Sequence, residues 1–89
     1  MFDFSLSYSD LAAQLDARFP VCVRIGWFGG GGHFVTVSAC RIVDGQRIVT
    51  VQDPKIGRIN VRYENFVSAY RAGEVPGGGG AWTHSYLTK

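Results

Sequence analysis

Cysteine is scarce in this chain. Cys22 and Cys40 are the only two, and neither belongs to a CxxC-type pair, so a disulfide-dense mini-protein is excluded and no zinc site is suggested. Both are expected as buried thiols in strands. Long apolar runs are also missing: none approaches the roughly 20 residues that a transmembrane helix needs. The opening Met1-Phe2-Asp3-Phe4 carries an acid and no basic stretch, so no signal peptide is visible, which leaves a cytoplasmic or an exported protein equally open. Nine Lys and Arg against seven Asp and Glu leave a net charge of only +2, with the basic residues scattered singly. That field is too weak to argue for nucleic acid or an anionic membrane as a partner. Nothing calls for a metal or a cofactor. What is present is apolar: 46% of the 89 residues are hydrophobic, 13% aromatic and only 18% charged. Such a chain can pack a core, and its length suits one small domain, not two.

Glycine punctuates the sequence. Eight of the twelve glycines fall in two runs, 29–32 and 77–80, whose flanking sequences differ, so they divide the chain without repeating it. Ser7-Tyr8-Ser9-Asp10 reads as a helix start with Ser7 as N-cap. Leu11, Leu15 and Phe19 follow at helical spacing, to an end near Ala17 or Arg18 before Pro20. Val21, Val23 and Ile25 alternate as a strand, and His33 to Cys40 forms a second, rich in β-branched residues. Asp44-Gly45 is the turn into a third strand through Ile48–Val51, which Asp53-Pro54 ends. Ile59, Val61 and Tyr63 alternate as a fourth, Glu64 to Tyr70 reads as a short helix, and Trp82 to Leu87 alternates as the last strand. The expected fold is α+β: an antiparallel sheet or half-barrel of about five strands, an N-terminal helix and one short helix.

The Asp44-Gly45 hairpin permits a sharper inference. Val35, Val37 and Ala39 share one face of the second strand, and Val49 and Val51 share one face of the third. An uninterrupted two-residue loop would set Val37 against Gln52 and mix the faces. A shift of one, through a longer loop or a bulge, pairs Val37 with Val51 and Ala39 with Val49. It also brings Asp53 opposite Val35 and makes His33 its diagonal neighbour, roughly 7–8 Å away at Cα. A histidine and a carboxylate at one open hairpin end can share a hydrogen bond that fixes the imidazole tautomer and supports its protonated form. An incidental or structural pair is the competing reading.

Three stretches carry a resemblance: Arg18-Phe19-Pro20-Val21-Cys22-Val23-Arg24-Ile25, Gly32-His33-Phe34-Val35 and Val51-Gln52-Asp53-Pro54. Together they resemble the C-terminal half of papain-like cysteine peptidases, in particular the bacterial double-glycine leader peptidases and related effector proteases. The resemblance spans about residues 9 to 88 and implies a papain-like β-barrel topology, with His33 as catalytic general base and Asp53 as its orienting partner. The family's nucleophilic Cys stands at the start of a long helix after a Gln, in an N-terminal half that residues 1–89 do not display. Cys22, mid-strand, and Cys40, far up the hairpin, lack that setting. The chain is therefore expected as a single half-domain that supplies the His–Asp part of a Cys-His-Asp triad. The alternative is a catalytically inactive papain-like domain that binds peptides or proteins.

The remaining features are read around that site. The glycines before His33 are expected to form a mobile loop that leaves the approach to its ring open, with Trp27, Phe28 and Gly32 as substrate-binding residues. Trp27, Phe28 and Trp82 would line a groove or, alternatively, cover the small core. His84 is expected as a half-buried strand residue, and the second glycine run as a flexible connection. An apolar cleft side bearing Trp27 and Phe28 would favour self-association or a Cys-bearing helical partner, with a peptide or protein as substrate.

Overall fold

The structure, a computed structural model, describes residues 5–74 and 78–87. In chain order the elements are α1 (Tyr8–Asp16), β1 (Val21–Trp27), β2 (Gly32–Val43), β3 (Gln46–Asp53), β4 (Gly57–Arg62), α2 (Tyr63–Ser68) and β5 (Gly80–Leu87). The five strands form one antiparallel sheet in the order β4-β3-β2-β1-β5. The α+β class is as expected. The sheet is open, with β4 and β5 as its outer strands, and does not close into a barrel.

Alternation decides which face is covered. Val21, Val23 and Ile25 on β1, Val35 and Val37 on β2, and Val49 and Val51 on β3 are buried together with Leu11 of α1 and Phe66 of α2. Both helices therefore pack on one face, and the opposite face carries half-buried Cys22 and exposed Phe34. Helix α1 begins as its capping signature requires, the Ser7 hydroxyl accepting the Asp10 N–H at 3.1 Å. It ends at Asp16, and the chain turns through Arg18 in the left-handed region, φ 66°, before Pro20.

The β2–β3 hairpin reaches the expected pairing by a bulge. Asp44 and Gly45, with φ of 51° and 77°, close a two-residue loop that pairs Val43 with Gln46. That register persists to Cys40 opposite Val49 and Ala39 opposite Thr50, then shifts at Ser38, so Val37 does pair with Val51. Ala39 consequently does not meet Val49, as the face-matching argument required. Cys40 takes that place and packs against the core. Both thiols are half-buried and unpaired with each other, not fully buried.

Two other boundaries move. Tyr63 opens α2 and does not extend β4, and α2 stops at Ser68, leaving Tyr70 beyond it in a single antiparallel bridge to Gly80. The second glycine run is accordingly not a slack connection where it is described. Gly79 and Gly80 are buried, and β5 starts at Gly80; Pro76 and Gly77 lie outside the described residues. Trp82 is buried in the core at 4% exposure, so it lines no groove, while His84 is half-buried as expected.

Candidate active site

His33 begins the buried alternation of β2, pairing with Ile25 of β1, and Asp53 ends that of β3. Both side chains emerge on the helix-covered face. His33 Nε2 lies 2.9 Å from Asp53 Oδ1, so the one-residue shift in the hairpin does bring the two groups together. Asp53 is 1% exposed and His33 8%. The pair is thus desolvated, the carboxylate almost completely and the imidazole nearly so.

Every polar atom of the carboxylate is engaged. Oδ1 also accepts the Lys55 N–H at 2.8 Å, the turn expected where an aspartate precedes proline, and Oδ2 accepts the Tyr70 hydroxyl at 2.8 Å. Burial by itself would push the Asp53 carboxyl up. The Lys55 N–H, the Tyr70 hydroxyl and His33 together outweigh it and hold the carboxyl below its ordinary value. Burial, then the hydrogen bond and charge of Asp53, push the Tyr70 phenol far above its usual range, so it remains a donor. An ionised carboxylate only accepts, so the His33 nitrogen facing it must carry the proton. The neutral ring then holds its lone pair on Nδ1, which no described residue hydrogen-bonds.

Trp27 completes the arrangement. It follows Ile25 on the same face of β1 and stacks on the imidazole with centroids 5.3 Å apart and planes 18° apart. Its indole also lies near-parallel to the Tyr70 ring at 6.3 Å. Phe28, in the turn beyond, is 57% exposed, and its N–H donates to Gly79 O at 2.9 Å. The structure gives Gly32 a reason to be glycine on the other face of the sheet. It pairs with Gly26 across β1 and β2, and a Cβ there would lie 2.8 Å from the Arg24 guanidinium, which crosses the sheet to the Thr83 hydroxyl at 3.0 Å. Its missing side chain makes room for arginine on the face away from His33.

Neither cysteine joins His33. Cys22 pairs with Thr36 and projects from the opposite face, and Cys40 lies seven positions along β2, roughly 23 Å away at the rise of an extended strand. A depression lined by Cys22, Phe34, Thr36, Gln52, Asp53 and Pro54 includes Cys22 but not His33. Among the described residues no group of three His, Cys, Asp or Glu converges as a metal site. The arrangement can therefore orient a histidine ring and fix its tautomer. Tyr70 is the member that the sequence does not reveal, because its spacing makes it the last residue of the short helix from Glu64, whereas α2 stops at Ser68. The signal that could have found it is general: a buried tyrosine hydroxyl needs an acceptor, and a buried carboxylate needs several donors. No protein-family model, curated protein or solved structure matches the chain.

Proposed function

We propose that this chain carries the base-and-orienter part of a thiol acyl-transfer site of the papain-like kind, with His33 as general base and Asp53 fixing its tautomer. The observation that carries the reading is the 2.9 Å His33–Asp53 contact, with the carboxylate buried and Nδ1 without a described partner. The nucleophilic thiolate would come from a segment other than Cys22 or Cys40, seated beside Trp27 and Phe28 within about 3–4 Å of the imidazole. A peptide or protein acyl group is the substrate class. Supplying the thiol from solution tests this. With an aryl ester and a small external thiol, the folded chain is expected to raise the thiol-dependent rate about a hundredfold, the low end of what general-base catalysis provides. His33→Ala abolishes that increment and Asp53→Asn reduces it. Equal thiol-dependent rates for the wild type and His33→Ala would overturn the proposal.

The remoteness of both cysteines favours a second reading, a papain-like domain that binds peptides without turnover. On that reading the thiol-dependent rate never exceeds the solution reaction, while peptide binding survives His33→Ala.

A further inference from the structure

Tyr70 is buried to 1% exposure, and its hydroxyl is aimed at the one carboxylate oxygen that His33 does not use. We propose that Tyr70 is a positioning residue for His33, acting through Asp53; the role rests on the reading of His33 as a base. Oδ1 serves two donors, His33 Nε2 and the Lys55 N–H. Without the Tyr70 hydroxyl, Oδ2 would be a buried charged oxygen lacking a partner, and the carboxylate would gain from rotating or admitting water. Either response loosens the single geometry in which Nε2 holds the proton and Nδ1 the lone pair.

The backbone around Tyr70 is built to hold that hydroxyl in place. Its N–H donates to Gly80 O at 2.7 Å, and its carbonyl accepts the Gly80 N–H at 3.0 Å. Gly79 has φ 88°, and a Cβ there would collide with the Tyr70 carbonyl oxygen and lie 2.7 Å from Ala72 N. Gly79 thus lets the chain approach Tyr70 more closely than any side chain would permit, and Gly80 does the same against Ile25 and Trp27 of β1. The ring is fixed from both sides, edge-on to Phe66 at 5.3 Å and near-parallel to Trp27 at 6.3 Å. Packing alone would be served as well by phenylalanine. The hydroxyl adds the link to Asp53.

The test is Tyr70→Phe, which keeps the ring and removes the O–H, read by NMR on the isolated chain. In the wild type, the neutral His33 ring is expected to show the nitrogen pattern of the Nε2–H tautomer. In Tyr70→Phe that pattern averages between tautomers, and the Asp53 carboxyl titrates at higher pH than in the wild type. A folded Tyr70→Phe chain with unchanged nitrogen shifts and an unchanged Asp53 midpoint would overturn the proposal. Placing 3-fluorotyrosine at position 70 preserves the shape and strengthens the donor, so it covers the case in which the phenylalanine variant fails to fold. It should move the Asp53 midpoint further down, and no movement also overturns the role. These readouts require no catalysis. A failed ester assay with an altered tautomer therefore rejects the acyl-transfer reading alone, and the reverse rejects only Tyr70.

Discussion

The Cys22 thiol and the His33 imidazole project from opposite faces of one sheet. Cys22 is opposite Thr36, and its neighbours Val21 and Val23 share the buried face with Val35, Val37 and His33. No side-chain rotation carries a group through a sheet, so Cys22→Ala is expected to leave any His33-dependent reaction unchanged. The same geometry separates the thiols from each other. Four residues and a bulge along β2 part Thr36, the partner of Cys22, from Cys40. That exceeds the roughly 7 Å limit for bridging two Cα positions. Mild oxidation should give no intrachain disulfide, seen as an unchanged intact mass with two thiols still titratable after unfolding.

Asp53 ties stability to acid. Its folded carboxyl sits below the unfolded value despite burial, because its three donors favour the charged form. The folded state then binds fewer protons than the unfolded one through the carboxylate range. The contribution is complete above the unfolded value and is lost as pH falls toward the lowered folded one. Urea unfolding followed from pH 7 downward should show stability falling through that window. Asp53→Asn should flatten this slope and cost about 1–3 kcal/mol at neutral pH by mismatching buried donors.

Gly32 and Arg24 should behave as a coupled pair. A methyl group at position 32 meets the Arg24 guanidinium at 2.8 Å, and the guanidinium is the mobile end of its side chain. Gly32→Ala is therefore expected to cost no more than the displaced Arg24–Thr83 hydrogen bond in the wild type, and to be nearly neutral when Arg24 is already alanine. A double-mutant cycle by thermal or urea unfolding measures the difference, with an interaction energy of about 0.5–3 kcal/mol. Additive effects would mean that glycine is required there for another reason.

Much of the site's placement was legible because it depends on face-matching. Val37 and Val51 must share a face, and that alone forces a one-residue shift that carries Asp53 to His33. The position of the shift was not legible, since a bulge at Ser38 and a longer turn satisfy the same faces; only the displaced Ala39 and Cys40 distinguish them. Tyr63 and Tyr70 were misplaced because β4 alternation and an α2 apolar stripe can each absorb one further aromatic residue. The glycine run ending at Gly80 shows the opposite failure. Glycine signals freedom in a sequence, but Gly79 and Gly80 serve close approach, which depends on residues far away in the chain.

Arg18 offers a gain in stability remote from the site. It is exposed and left-handed at φ 66°, just past the end of α1, where glycine is the usual occupant. Arg18→Gly should relieve that backbone cost, partly offset by the added freedom of the unfolded chain, for a net gain of about 0.5–1 kcal/mol. Differential scanning calorimetry would register this as a rise of a few degrees in Tm.

The bridge between Tyr70 and Gly80 also sets an order of assembly. Strands β1 to β4 form a meander of sequence neighbours, and the His33–Asp53 bond spans only 20 residues of it. Strand β5 is different: it joins β1 across a separation as long as the 59 residues between Arg24 and Thr83. Closing so long a loop costs chain entropy that the meander does not face, so β5 is expected to join last, which pulse-labelling hydrogen exchange during refolding would show as late protection of its amides. It brings the backbone clasp on Tyr70 and the support behind Trp27 to the hairpin holding His33 and Asp53. The dyad and the clamp around it thus belong to different parts of the sheet: the pair to the β2–β3 hairpin, and its setting to β5, which reaches Tyr70 and Trp27 from elsewhere in the chain.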